Sequence, residues 1–280
     1  MKKLLVKSAL ILVLLGIVVR AVPVLAASLP NHPLIEQAKE KHGPRVKYAL
    51  DNGVQVGLTA DGKSYYVLWF PDGYGLDHLP PMVATIDGHD GCAFVDFNVW
   101  HHALKEHGYG FLAVQWWLGT GEGIHDYLLP DEIYRAMDDV FREIKLKPGT
   151  AMLYGFSRGS ANSYPVAALD RSSGNGYFSL FVAGSGKANS DYPPVAQIER
   201  GVFGDKPLAG SRWVTYGGGK DPNPDRDGIA GMREAGEWIR RYGGSVDLAI
   251  EDPEGDHGGF HKRPQNCEKT LDVFEKLRPK

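Results

Sequence analysis

Ser157, Asp221 and His257 are the residues of this 280-residue chain whose types and settings could together do nucleophilic chemistry. A serine hydroxyl is a weak nucleophile until an imidazole can take its proton and a carboxylate holds that imidazole in the right tautomer. Ser157 stands in Gly155-Phe156-Ser157-Arg158-Gly159, which follows an apolar stretch of strand length and opens onto small residues of helical pattern. Between a strand and a helix, such a G-x-S-x-G run turns sharply enough to lift the serine off the edge of a sheet. Glycines at 155 and 159 remove side chains that would collide with neighbouring backbone. Asp221 follows Gly217-Gly218-Gly219-Lys220, just beyond another apolar run, where an orienting acid would fall; Asp191, Asp225 and Asp227 are its rivals. His257 lies in the glycine-flanked stretch Gly255-Asp256-His257-Gly258-Gly259, with His261 as the neighbouring alternative base.

The same chemistry needs hydrogen-bond donors where negative charge builds on an attacked carbonyl oxygen. One is expected from the backbone N–H of Arg158, directly after the serine. The other is expected from Asp87-Gly88-His89-Asp90-Gly91 at the end of an earlier strand, with His89 first and Asp90 second. Asp87, His89 and Asp90 could instead be read as metal ligands. No matching ligand cluster follows downstream, and His101 and His102 lie in a helical segment without metal-site spacing, so neither a metal nor a cofactor is expected.

The elements that must position these groups are legible in outline. Residues 46–50 and 54–58 flank Asp51-Asn52-Gly53 and predict a hairpin, and Asp61-Gly62 leads into a further strand over 65–70, so the front of the sheet is expected to be antiparallel. From Met82 onward, apolar runs alternate with amphipathic segments, the signature of a parallel sheet covered on both faces. The expected strands are 82–86, 111–116, 150–154, 180–183, 212–216 and 246–250. The clearest helix opens at Pro130-Asp131-Glu132 and sets Ile133, Met137, Val140 and Ile144 on one stripe; the last, over 266–277, does the same with Leu271, Phe274 and Leu277. Trp116 and Trp117, adjacent at a strand end, face opposite sides, so at most one can line a cleft there. Tyr65, Tyr66, Trp69 and Phe70 read as strand packing.

Lys2, Lys3 and Lys7, the apolar run 9–19 and the small-residue site at Val24-Leu25-Ala26 read as a secretory signal peptide over residues 1–26, with an uncleaved N-terminal anchor as the alternative. Residues 27–280 then form one domain, secreted or periplasmic, with no stable membrane association after cleavage. Removing 1–26 takes away Lys2, Lys3, Lys7 and Arg20 and no acid, which moves the formal charge from −3 to −7 and argues against nucleic-acid binding. Cys92 and Cys267 either pair or stand as separate buried thiols, and the spacing leaves both open.

Together, Asp87-Gly88-His89, Gly155-Phe156-Ser157-Arg158-Gly159, Asp221 and His257, in that order, make the chain resemble the α/β-hydrolase family from Tyr65 to the C-terminus. The resemblance implies an α/β-hydrolase fold, a mostly parallel central sheet with antiparallel N-terminal strands and helices on both faces. Within that family the chain looks most like secreted bacterial esterases of the polyester-depolymerase and feruloyl-esterase type, and like dienelactone hydrolases in compactness. One departure is Asp87-Gly88, where many members carry His-Gly. The activity implied is hydrolysis of small or polymer-linked carboxylic esters through an acyl-enzyme on Ser157. A serine peptidase with the same catalytic groups is the neighbouring alternative, and a non-catalytic binding protein of the same fold is the alternative from another class. The short connection between 183 and 212 leaves no room for a large cap over the site.

Overall fold

A computed structural model describes residues 29–280; the expected signal peptide lies outside the described residues. The chain runs α1 (Pro33–Asp51), β1 (Gln55–Leu58), β2 (Tyr65–Trp69), β3 (Met82–Ile86), α2 (Ala93–His107), β4 (Gly110–Val114), α3 (Pro130–Glu143) and β5 (Ala151–Phe156). It continues with α4 (Arg158–Ser173), β6 (Phe178–Gly184), α5 (Pro193–Glu199), β7 (Arg212–Gly218), α6 (Ile229–Arg241), β8 (Ser245–Asp252), α7 (Gly259–Lys262) and α8 (Pro264–Leu277). The strands form one sheet in the order β1-β2-β4-β3-β5-β6-β7-β8. β1–β2 and β2–β4 pair antiparallel and every later pair is parallel.

The parallel strands are continuous apolar runs because both of their faces are covered. Along β5, Met152 and Tyr154 face one hydrophobic layer while Ala151 and Leu153 face the other. The first layer is completed by α1, α2 and α8, through Ile35, Phe97, Trp100 and Phe274; the second by α3, α4 and α6, through Met137, Phe141, Tyr164 and Ile239. Each such side chain, taken fully out of water, stabilises the fold by about 1.5–3 kcal/mol. The stripe expected on α3 is buried, including Ile144 at its C-terminal end. No helix among the described residues is long and apolar enough to cross a membrane.

The hairpin expected around Asp51-Asn52-Gly53 is not formed. Residues 46–50 belong to α1, whose buried Ile35, Ala38, Val46 and Ala49 join the hydrophobic layer beside α2, and only 54–58 contributes a strand. Asp51-Asn52-Gly53 stops the helix instead: Gly53, at φ +83°, turns the chain so that its N–H reaches Leu50 O and the N–H of Val54 reaches Ala49 O. The same residues serve hairpin turns and helix ends because both need a left-handed residue. The short stretch 46–50 could not reveal a helical stripe that continues across a kink at His42 and Pro44. The true first hairpin, β1–β2, is closed at Asp61-Gly62, where the Gly62 N–H donates to Thr59 O.

Candidate active site

The predicted functional side chains gather at the C-terminal edge of the parallel strands, where open α/β sheets offer a crevice. Ser157 follows β5, the 87–92 loop follows β3, Asp221 follows β7 and His257 follows β8. Ser157 sits at φ +53°, ψ −116°, a strained conformation for a residue with a side chain. The glycines around it are obligatory: a Cβ at Gly155 would lie 2.5 Å from Gly159 O, and one at Gly159 would lie 2.1 Å from Ile86 O.

His257 Nε2 lies 2.8 Å from Ser157 Oγ, and His257 Nδ1 lies 2.7 Å from Asp221 Oδ2. With its proton on Nδ1, the ring donates to the carboxylate and accepts from the serine hydroxyl. The Asp221 carboxylate is fully buried and its Oδ1 accepts from Asn223 N–H at 2.8 Å, while the His257 side chain keeps 30% of its surface exposed. The two loops carrying them are tied together by Gly219 N–H to Asp252 O and Lys220 N–H to Gly255 O, both at 2.8 Å. That backbone link is what holds residues 36 positions apart in register.

The rivals are sorted by position. Asp225 and Asp191 are exposed. Asp227 is buried beside the site, with a carboxylate oxygen within 4.8 Å of ligand atoms of both Asp221 and His257, but it is held by the Arg226 guanidinium. His261 is turned away from Ser157 and hydrogen-bonds the Tyr154 hydroxyl at 2.6 Å. Burial pushes its pKa down to about 4.

The 87–92 loop lies against the serine: a Cβ on Gly88 would be 3.3 Å from Ser157 Cβ. Asp87 turns its carboxylate back into its own loop, accepting from Gly88 N–H at 2.7 Å and Cys92 N–H at 3.2 Å. Burial raises its pKa. Among the described residues, the backbone N–H groups of His89 and Arg158 have no acceptor, so both are free to meet a developing oxyanion. Cys92 and Cys267 are separate buried thiols.

In front of Ser157 opens a cavity of about 530 Å³. One wall is the connection from β4 to α3, which sequence reasoning missed. It is tied into shape by Leu118 N–H to Asp126 O, Leu128 N–H to Trp116 O and the Asp126 carboxylate capping Gly123 N–H, and it presents Tyr127, Leu128 and Ile124. Gly119-Thr120-Gly121-Glu122-Gly123 at the end of a parallel strand was the available signal. Trp116 lines this cavity and Trp117 does not. Arg158, Asn162 and the segment after β6 also line it, and there Tyr192 OH donates to Asn162 Oδ1.

No protein-family model matches the chain, and no curated protein matches its sequence. Its fold is well represented among solved structures. It is similar to one of two fungal esterases from Rhizomucor miehei at 14% identity and a TM-score of 0.59, over 89% of this chain and 92% of that one. An esterase from Pyrobaculum calidifontis superposes at 13% identity and TM-score 0.58, over 87% and 91% of the two chains. Esterase 2 from Thermogutta terrifontis, phosphoramylated by tabun, does so at 14% and 0.57, over 81% and 97%. The chain has the α/β-hydrolase fold.

Proposed function

We propose that this protein is an exported serine esterase that cleaves carboxylic esters by two-step acyl transfer. The observation that carries this reading is the unbroken contact from Ser157 Oγ through His257 to a buried Asp221, at 2.8 and 2.7 Å, on a strained serine turn. His257 Nε2 takes the hydroxyl proton as Ser157 Oγ bonds to the ester carbonyl carbon. The oxyanion is held by the backbone N–H groups of His89 and Arg158, and Asp221 stabilises the imidazolium. The tetrahedral species collapses, the C–O bond to the alcohol breaks, and His257 returns its proton to the leaving alkoxide. Water, deprotonated by the same ring, then attacks the acyl-serine, releasing the acid and restoring Ser157. No step calls for a cofactor. The esterase neighbours support the reaction class, and the signal-like residues 1–26 support export.

The test is labelling of the purified protein with a fluorophosphonate, which phosphonylates an activated serine with loss of fluoride; the organophosphorus adduct of the Thermogutta terrifontis neighbour makes this probe a fitting choice. Peptide mass spectrometry should locate the label on Ser157, and His257→Ala should abolish it. Folded protein that takes no label at Ser157 overturns the proposal.

A further inference from the structure

Three cationic side chains stand in the walls of the cavity before Ser157, and they differ in how their charge is met. Lys187 is paired with Glu234, and Arg226 with Asp227. Arg158 has no such partner: among the described residues, no carboxylate oxygen comes within salt-bridge distance of its guanidinium. Neutral groups hold it instead. Nη1 donates to the backbone carbonyl of Glu122 at 3.0 Å, and the guanidinium carbon lies 4.7 Å from the centroid of the Tyr127 ring. Carbonyl and ring fix the fork in place without neutralising it, and they leave further N–H donors for a ligand. A guanidinium held in this way suits a planar oxyanion better than a flexible ammonium does.

Other charges on the same walls do not cancel it. The Glu122 carboxylate is exposed and lies 3.2 Å from His89 Nε2, Asp227 is tied to Arg226, and Asp191 is exposed to solvent. Arg158 is half-buried in the lining of the cavity, one residue from the nucleophile. A bound neutral ester would leave that cation with its ring and carbonyl alone, whereas an ester with its own carboxylate would complete it with charge-assisted hydrogen bonds.

We infer that the substrates are anionic esters, carrying a free carboxylate a few atoms from the scissile carbonyl that Arg158 binds. This rests on Ser157 acting as proposed above. The carboxylate can stand on the acyl side, as in the half-ester of a dicarboxylic acid, or on the alcohol side, as in an acylated hydroxy acid. The Arg158 side chain is a specificity residue, and its backbone N–H serves the oxyanion independently.

Steady-state kinetics on matched pairs test this. Monoethyl glutarate against ethyl pentanoate probes the acyl side, and 3-acetoxypropanoate against propyl acetate probes the alcohol side. In one pair, kcat/KM for the anion should exceed that of its neutral match by about tenfold or more, chiefly through KM. The ratio should fall as ionic strength rises. Arg158→Met should bring the ratio to one or below whatever its absolute rate, and Arg158→Lys should keep part of it. Without any variant, glutarate should inhibit hydrolysis of ethyl pentanoate competitively and 1,5-pentanediol should not. A neutral preference in both pairs, or a ratio unmoved in folded Arg158→Met, overturns the inference and leaves the esterase standing. Fluorophosphonate labelling at Ser157 without turnover of any of the four esters overturns the anion preference alone. Absence of both labelling and turnover overturns the esterase reading and this inference together.

Discussion

Two histidines four residues apart pack against one phenyl ring. Phe156, the residue before Ser157, has its centroid 5.2 Å from the ring of His257 and 4.8 Å from that of His261. His257 touches a serine hydroxyl and a carboxylate and keeps part of its surface in water. His261, itself half-buried, has a single phenol partner and a pKa pushed down to about 4 by burial, which keeps it neutral. The same residue type on the same short stretch is thus offered one environment that can stabilise an imidazolium and one that cannot. The partner and the solvent make the difference, not the ring.

The sharpest break in this comparison is to truncate each ring in turn. His257→Ala is expected to lower turnover of an ester by about 10⁴–10⁶-fold, as Ser157→Ala would, while His261→Asn stays within about tenfold of wild type. The reverse pattern in folded proteins would exchange their roles. Next in size is the carboxylate. Asp221→Asn leaves the contact geometry but presents the wrong hydrogen-bonding partner to Nδ1, and should cost about 10³–10⁴ in kcat. Asp227→Asn should cost far less, and an equal loss in both variants would mean that the two acids act as a unit.

The His261 ring should reveal itself in stability instead. Its pKa is about 4 in the folded chain against 6.5 when free, so between these values the unfolded chain binds more protons and stability falls as the pH drops. Thermal or denaturant unfolding of wild type and His261→Asn from pH 7 to pH 4 should show wild type losing about 2–3 kcal/mol relative to the variant. Parallel pH profiles for the two proteins would contradict a depressed His261. The smallest effect is expected from Tyr154→Phe, which removes the only hydrogen bond to that ring among the described residues. It should cost about 1 kcal/mol of stability and leave turnover within a few-fold of wild type.

Much of the parallel half was legible beforehand. The apolar run at Met82–Ile86 coincides with β3, and the Pro130 helix begins at its proline, because a fully buried strand or a capped amphipathic helix carries its pattern locally. Residues 46–50 were misread because a five-residue, mostly apolar stretch fits strand and helix alike, and only its packing beside Ile35 and Ala38 separates the two. The 117–129 wall escaped notice for a related reason. Its shape comes from hydrogen bonds such as Leu128 N–H to Trp116 O, which close a loop without hydrophobic period. Candidate site residues were named from order and flanking glycines, and those signals already put Asp221 and His257 ahead of their rivals; the contacts between them lay beyond such signals.

The amino-acid sequence by itself determined what is local: a G-x-S-x-G run between an apolar strand and a helical pattern, the apolar runs of the parallel strands, and the succession of serine, aspartate and histidine. These follow from steric limits and side-chain periodicity within a few residues. Only the tertiary structure decided which aspartate meets which histidine, which histidine is given a phenol alone, and that Arg158 reaches the cavity without a carboxylate of its own. Burial and partnership depend on backbone from distant strands. The 2.7 Å contact between Asp221 and His257 exists because two loops are joined at Gly219 and Lys220, an arrangement that the order of residues along the chain does not encode locally.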